Sequence, residues 1–252
     1  MKPYLFITIF IISFAVKLTI SKKFLGKSLK SIGMNDVNNE YLGFSKISGK
    51  ELKKYMLNQN VYIVDTRDMT ICAQGYFPKA IICPISMYSW LTSIVPSKAN
   101  IVIISDEQNY QKAINSLIDL KLYNLLGYGI YNEINESSSF FIQKIEYNPN
   151  TKQSIEEIVK NGENIIDIRE INEYIETGVI EQAKLIPLTT FQTDYNKIPN
   201  NGNVYVFCKS GMRAVVGMTY AKRAGYTNRM IIMEGGINKA IQEGYPLVPY
   251  PG

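Results

Sequence analysis

One cysteine in this sequence stands where a strand, a tight loop and a helix are predicted to meet. The stretch is Val204-Tyr-Val-Phe-Cys208-Lys-Ser-Gly-Met-Arg213, and the residues that follow it are typical of a helix. In such a loop the backbone N–H groups converge on one point, with the positive end of the helix dipole behind them. This position favours a negatively charged sulfur. The pattern therefore predicts that Cys208 is a nucleophile in an anion-binding loop.

The loop after Cys208 is predicted to supply this environment through Lys209, Ser210, Gly211, Met212 and Arg213. We expect the amides of residues 209–213 to stabilise an anion without a histidine base. Gly211 permits the tight turn. Arg213 either orients an anionic ligand or pairs with a carboxylate that holds the loop. Lys209 either adds positive charge at the rim or is simply a solvated side chain.

The composition excludes several kinds of site. The 252 residues include no histidine, which rules out Ser-His-Asp and Cys-His pairs and histidine-ligated metals. The cysteines besides Cys208 are Cys72 and Cys83, which lie in apolar surroundings and are predicted to be buried. They form no C-x-x-C motif, so we predict no metal site, no disulfide framework and no cofactor. The net charge of +5 is spread without a basic stripe and predicts no binding to nucleic acid.

The beginning of the chain resembles a targeting segment. Residues 4–16 form an apolar run behind Lys2, and no acidic residue precedes Asp36. The run is shorter than a full membrane span and suits a signal peptide. We expect a signal peptide or membrane anchor over 1–23, with membrane attachment through 4–20, and a linker over 24–44. The protein is expected to be exported or membrane-anchored, with targeting to an organelle (mitochondrial) as the alternative.

The rest of the chain contains an internal repeat of domain size. Short buried strands alternate with helical patterns such as 49–57 and 154–160, the second with a Ser-x-x-Glu capping box at Ser154. This alternation predicts an α/β fold in which each copy has a mainly parallel sheet flanked by helices on both faces. The copies are expected at 45–135 and 151–252, joined by a linker over 136–150. The aligned blocks, at an offset of 102 for the first and 103 for the others, are Val64–Asp68 with Ile166–Glu170, Gly75–Ala80 with Gly178–Ala183, Ile82–Ile85 with Leu185–Leu188, and Ile101–Ser105 with Val204–Cys208.

The second copy resembles a rhodanese domain over roughly 100 residues. It departs from the usual pattern at Val179, where a histidine is common, and at Ala240, where a tryptophan is common. The motifs that carry the resemblance are Asp167-Ile-Arg-Glu, Glu173-Tyr174, Gly178-Val-Ile, Ala183, Ile186-Pro-Leu188, Cys208-Lys-Ser-Gly-Met-Arg213, Gly225-Tyr226, Glu234-Gly-Gly236 and Gly244-Tyr-Pro246.

The resemblance implies a sulfurtransferase in which Cys208 takes a sulfane sulfur, becomes a persulfide and passes the sulfur on. The implied donors are thiosulfate, a polysulfide or glutathione persulfide, and the implied acceptor is a thiol or cyanide, with a protein acceptor among the options. Asp167 and Arg169 are expected to support the loop from behind. An alternative is a sulfur-relay module that receives sulfur from a partner without turnover of small donors.

Two further points follow from the resemblance. Phosphatases and arsenate reductases of this fold have a loop one residue longer than Cys208–Arg213, so sulfur transfer is favoured over phosphate-ester hydrolysis. The first copy has Ser105 at the cysteine position and Asp106–Tyr110 in place of the loop. A serine without a histidine has no activating base, so this copy is predicted to be catalytically inactive.

Overall fold

Two parallel β-sheets position the candidate nucleophile and the helix that follows it. The computed structural model of the protein describes residues 44–120 and 124–252, and Phe44–Gly252 forms one compact unit. The predicted leader over 1–23, the membrane attachment through 4–20 and nearly all of the linker over 24–44 lie outside the described residues. Within the described ranges, no helix is long and apolar enough to cross a membrane.

The first sheet has parallel strands in the order β2-β1-β3-β4. They are β1 (Val61–Asp65), β2 (Ala80–Ile82), β3 (Asn100–Ser105) and β4 (Asn124–Ile130). β1 and β3 are rich in valine and isoleucine, which favour extended backbone. Consecutive residues of β2 and β3 are buried, and consecutive side chains point to opposite faces of a sheet. Both faces of this sheet are therefore covered, as expected for parallel strands.

The helices of this half lie before, between and after its strands. They are α1 (Gly49–Leu57), α2 (Met69–Gln74), α3 (Tyr88–Ile94), α4 (Tyr110–Asp119) and α5 (Tyr131–Ser137). The predicted helix over 49–57 is confirmed as α1. It begins with a capping box, in which the Glu51 N–H donates to Ser48 Oγ and the Ser48 N–H donates to the Glu51 carboxylate.

The second sheet has the strand order β5-β9-β8-β6-β7, again parallel. Its strands are β5 (Glu146–Asn148), β6 (Asn164–Asp167), β7 (Lys184–Leu185), β8 (Val204–Phe207) and β9 (Met230–Met233). Apart from β5, the order is that of the first sheet, with β6, β7, β8 and β9 in the places of β1, β2, β3 and β4. The segment predicted as a linker, 136–150, thus contains a strand, because β5 pairs with the edge of β9.

The helices of the second half are α6 (Lys152–Lys160), α7 (Ile171–Thr177), α8 (Phe191–Asp194), α9 (Met212–Arg223) and α10 (Gly236–Gln242). The predicted start of α6 at Ser154 is wrong by two residues. Thr151 caps this helix instead, since its hydroxyl accepts the Ser154 N–H at 3.2 Å, while Ser154 Oγ donates to the Thr151 carbonyl at 2.9 Å. The predicted α/β fold of parallel sheets flanked by helices is confirmed.

Helix α9 packs against both sheets. Ten of its 12 residues are buried, which is typical of a helix in the middle of a core. The Ile82 N–H, at the end of β2, donates to Thr219 Oγ1 at 3.1 Å. At the last residue of α9, Arg223 donates to the Gln59 carbonyl at 2.7 Å, and its guanidinium lies over the Tyr62 ring at 3.7 Å from the ring centre. The first half of the chain therefore holds the helix that follows Cys208.

Candidate active site

Cys208 directly follows β8 and lies at the carboxyl end of that strand, where parallel α/β sheets bind ligands. Its residue surface is 1% exposed. The Gly211 N–H donates to Cys208 Sγ at 3.2 Å, so one amide of the loop is directed at the sulfur. Helix α9 begins at the next residue, which brings its positive end close to the same sulfur.

Gly211 is the residue that closes this turn. Its φ is +95°, a left-handed conformation that residues with a Cβ adopt only with strain. A Cβ at this position would meet its nearest atom, the Gly235 backbone nitrogen, at 3.7 Å, which is an ordinary contact. Glycine is thus needed here for backbone conformation and not for space.

The loop is fixed from the other side by helix α10. The Ile237 N–H donates to the Cys208 carbonyl at 2.8 Å, and the Asn238 N–H donates to the Lys209 carbonyl at 3.1 Å. In a trans peptide the C=O and N–H groups point in opposite directions, so these bonds turn the next two amides, of Lys209 and Ser210, away from α10. These two carbonyl oxygens therefore point towards α10 and not into the space where the loop could bind an anion.

Gly236 makes this close approach of α10 feasible. Its φ is +58°, and a Cβ there would lie 2.2 Å from the Cys208 carbonyl oxygen. Asn150, just after β5, donates from its side chain to the Gly236 carbonyl at 2.7 Å. Gly235 and Gly236 belong to a motif of the resemblance, but the sequence predicted no role for Gly236 or Asn150. The available signal was a glycine pair that closely follows the apolar run Met230–Met233.

Arg213 is paired with a carboxylate and not directed into open solvent. Its two terminal nitrogens donate to the two carboxylate oxygens of Glu173 at 2.6 and 2.7 Å, and its guanidinium lies 4.7 Å from the ring centre of Trp90. Burial disfavours the charge of Glu173, but hydrogen bonds from Arg213 and from the Glu170 N–H outweigh it and lower the pKa of the carboxyl. The sequence left open whether Arg213 orients an anionic ligand or pairs with a carboxylate, and the structure shows the pair with a carboxylate.

Asp167 and Arg169 form a buried ion pair behind the loop, with a shortest contact of 2.6 Å. Arg169 also donates to the Gly178 carbonyl at 2.8 Å, and the Tyr174 hydroxyl donates to the Asp167 carbonyl at 3.0 Å. These contacts tie the end of β6 to helix α7, which carries Glu173. The pair therefore lies in the framework of the site, and its hydrogen bonds go to that framework.

The remaining loop residues lie at the surface. Lys209 and Ser210 are exposed, and Met212 is 41% exposed. Their side chains border the mouth of the loop and leave its interior to the backbone.

The two other cysteines are buried, as predicted. Cys72 and Cys83 are both 0% exposed and are not in disulfides. Burial raises the pKa of Cys83 to about 12 and raises the pKa of Cys72 as well. Among the described residues, no cluster of acidic and cysteine side chains is suited to hold a metal ion.

The turn after β3 occupies the place in the first sheet that the Cys208 loop occupies in the second. It begins with Ser105, which is fully buried and whose hydroxyl has no hydrogen-bond partner among the described residues. The N–H groups of Gln108 and Asn109 donate to the Asp106 carboxylate at 3.0 and 2.8 Å. These N–H groups of the turn are thus already bound to a carboxylate of the chain itself, and they are not free to bind an external anion.

Comparisons with known proteins agree with these features of the second half. Residues 151–243 match the family of the rhodanese-like domain. A curated sulfurtransferase from Allochromatium vinosum is 31% identical over 88 residues, which are 35% of this chain and 80% of that protein.

Solved structures give a wider set of similar proteins. A rhodanese-related protein from Thermoplasma volcanium is 26% identical with a TM-score of 0.36, over 41% of this chain and 100% of that chain. A thiosulfate sulfurtransferase from Pseudomonas aeruginosa is 16% identical with a TM-score of 0.36, over 82% of this chain. The alignment spans 44% of that enzyme, less than half its length.

Proposed function

Since this chain belongs to the family of proteins with a rhodanese-like domain, we propose that it is a sulfurtransferase whose Cys208 carries the transferred sulfur as a persulfide. The observation that carries the proposal is the Gly211 N–H directed at Cys208 Sγ at 3.2 Å, at the first turn of a helix. Such a donor stabilises negative charge on sulfur, whether the sulfur is a thiolate or the end of a persulfide.

The reaction needs no histidine, in keeping with a sequence that has none. With thiosulfate as donor, the Cys208 thiolate attacks the outer sulfur, the new S–S bond forms as the donor's S–S bond breaks, and sulfite leaves with the electron pair of that bond. Cyanide then attacks the terminal sulfur of the persulfide, which yields thiocyanate and returns the thiolate. A thiol acceptor takes the sulfur in the same way. Each step exchanges one anion for another, and none requires a metal or an external oxidant.

The six-residue loop from Cys208 to Arg213 supports this chemistry over phosphate-ester hydrolysis. Its carbonyls at Cys208 and Lys209 are drawn towards α10, and its amide at Gly211 contacts the sulfur itself. A cradle this tight suits one additional sulfur atom better than a tetrahedral oxyanion beside the thiolate. Cleavage of an aryl phosphate with no sulfur loading would favour the phosphatase or arsenate reductase alternative.

We propose that residues 45–135 form a second, catalytically inactive rhodanese-like domain, joined through 136–150 to the catalytic domain at 151–252. The shared strand order of the two sheets supports the tandem arrangement. The inactivity is supported by Ser105 at the nucleophile's place and by the Asp106 carboxylate that occupies the turn's amides. A serine with no base beside it is a poor nucleophile.

The partners in this proposal are a small sulfur donor (thiosulfate, a polysulfide or glutathione persulfide) and a thiol, cyanide or protein acceptor. Nucleic acid is not among them. A sulfur relay remains the second candidate, in which Cys208 accepts sulfur from a protein and does not turn over small donors. Steady-state turnover with small donors separates the enzyme from the relay.

Replacement of the nucleophile tests the proposal. Cys208→Ser is expected to lower cyanide-dependent thiocyanate formation by at least about a thousandfold, because the hydroxyl has no activating base. Cys72→Ala and Cys83→Ala are the matched controls, and both should keep activity close to that of the wild type. Full turnover by Cys208→Ser would refute the proposal.

The location of the protein is a separate proposal based on residues 4–16, which lie outside the described residues. We propose export or membrane anchoring through this apolar run, with an organelle as the alternative. N-terminal sequencing of the mature protein tests it: a start after the run supports a cleaved signal, and an intact Met1 supports an anchor.

A further inference from the structure

Arg213, the cation in the first turn of the helix that follows Cys208, is held in place on two sides. Glu173 binds it with two parallel hydrogen bonds of 2.6 and 2.7 Å, the strongest arrangement available to a guanidinium and a carboxylate. The ion pair is mostly buried, with side-chain exposures of 9% for Arg213 and 15% for Glu173. Removal of Arg213 from this partner would leave a mostly buried carboxylate without its counter-ion, which is unfavourable.

The second contact that holds Arg213 comes from the first half of the chain. Trp90 lies on α3, and the guanidinium of Arg213 stands 4.7 Å from its ring centre. This is the geometry of a cation–π contact. Helix α3 also packs against the turn at Leu188–Thr190 and against α8, so the indole is supported by the second half that it contacts. The ring adds an apolar wall next to the loop.

Glu173 neutralises the positive charge of Arg213, and the other charged residues near the loop do not replace that charge. Glu234 is exposed directly before the glycine pair that borders Gly211. Lys209 is positive but exposed, and the field of a solvated ammonium is strongly screened. A ligand that approaches Cys208 therefore meets a mouth with little net positive charge.

From this geometry we propose that Glu173 and Trp90 are positioning residues that set donor specificity, so that the site prefers an organic persulfide, with at most one negative charge on its sulfurs, to dianionic thiosulfate. The inference rests on the proposed function and concerns the donor of the same site. Thiosulfate places two negative charges next to a thiolate and needs an unpaired cation to offset their repulsion. A persulfide brings at most one charge at its sulfurs, because any other charges lie several bonds away on its organic part, and that organic part has the Trp90 ring to pack against.

The transfer is balanced for this donor. The Cys208 thiolate attacks the terminal sulfur of R–S–SH, a bond forms between the two sulfurs, and the S–S bond of the donor breaks. The electron pair of that bond leaves on the thiolate R–S⁻, the proton stays on the transferred sulfur, and Cys208 becomes the persulfide Cys–S–SH. The sulfur atom is transferred from the donor to Cys208 without net oxidation or reduction.

The experiment measures the rate at which Cys208 gains sulfur in a single turnover, with glutathione persulfide and with thiosulfate as separate donors. For the wild type we expect loading by the persulfide to be at least about tenfold more efficient. For Glu173→Gln we expect the ratio to shift towards thiosulfate by about tenfold, because the guanidinium is then free to bind the dianion. Glutamine still accepts the Glu170 N–H through its amide oxygen, so the helix cap of α7 is kept.

Glu176→Gln is the matched control, since Glu176 is exposed on the same helix and the variant changes the net charge equally. Its donor ratio should equal that of the wild type. Equal or better loading of the wild type by thiosulfate overturns the inference without any variant, and so does an unchanged ratio in Glu173→Gln. Loading by neither donor would instead refute the proposed sulfur transfer itself, so the two failures are distinct.

Discussion

The turns after β8 and after β3 occupy corresponding places in two sheets with the same strand order, yet they direct their amides to different groups. In the second half the Gly211 N–H points at Cys208 Sγ. In the first half the Gln108 and Asn109 N–H groups point at the Asp106 carboxylate. Both turns use backbone N–H groups to bind an acceptor from the chain itself. In one turn the acceptor is the sulfur that we propose as the nucleophile, and in the other it is a carboxylate.

The second difference between the turns is the support behind them. Helix α10 donates two hydrogen bonds to the carbonyls of Cys208 and Lys209 and approaches so closely that only glycine fits at Gly236. The comparison indicates that a reactive loop depends on its neighbours as much as on its cysteine. Three substitutions in and around the two turns test that view.

Gly236→Ala should damage the active turn most. A Cβ would lie 2.2 Å from the Cys208 carbonyl oxygen, so α10 must move away and its bonds to the loop must lengthen or break. We expect a loss of about 2–4 kcal/mol in the free energy of unfolding. Sulfur transfer should fall by about a hundredfold or more, because the reacting atoms are displaced. Denaturant unfolding and single-turnover loading measure the two effects.

The control for this variant is Gly244→Ala, where φ is +74° and a Cβ would have no atom within 4 Å. It carries similar backbone strain without the clash. If both variants lose activity to the same degree, the close contact of α10 does not matter.

Gly211→Ala should have a smaller effect. The residue has φ of +95° but room for a Cβ, so only backbone strain of about 1–2 kcal/mol is added. Relaxation of that strain moves the N–H that contacts the sulfur, and we expect sulfur loading to slow by about tenfold. Gly225→Ala, at φ of +107° and with no neighbouring atom within 4 Å, should lose similar stability but keep its loading rate. Unimpaired loading in Gly211→Ala would show that this amide is dispensable.

Ser105→Cys should have the smallest effect. A thiol at the end of β3 has no free N–H groups to stabilise its thiolate, because those of Gln108 and Asn109 donate to Asp106. The Asp106 carboxylate also repels a thiolate. In a Cys208→Ser background we expect no sulfur at position 105 after incubation with donor, as judged by peptide mass spectrometry. A sulfur added there would mean that the cysteine alone separates the two turns.

The amino-acid sequence predicts the parts of this molecule that depend on local patterns. Helix α1 and the strands β1, β6 and β8 follow from periodicity, capping and the repeat. The strand β5 was not predicted, because a three-residue edge strand is stabilised by its neighbour β9 and its own composition is that of a linker. The start of α6 was misplaced because Thr151 and Ser154 are both plausible caps.

The contacts of Arg213 show why the site itself was predicted only in part. The sequence placed the arginine at the helix start and left its partner open. Glu173 is 40 residues away, and Trp90 belongs to the other half of the chain. No local pattern links three such positions, since they meet only when α3, α7 and α9 have packed together.

The most direct test of the central claim is peptide mass spectrometry of the wild-type protein after incubation with a sulfane-sulfur donor, followed by addition of cyanide. We predict one additional sulfur atom on the peptide that contains Cys208, none on those that contain Cys72 or Cys83, and loss of that sulfur as thiocyanate forms. Thiocyanate formation without sulfur on Cys208, or sulfur that cyanide does not remove, would contradict the account.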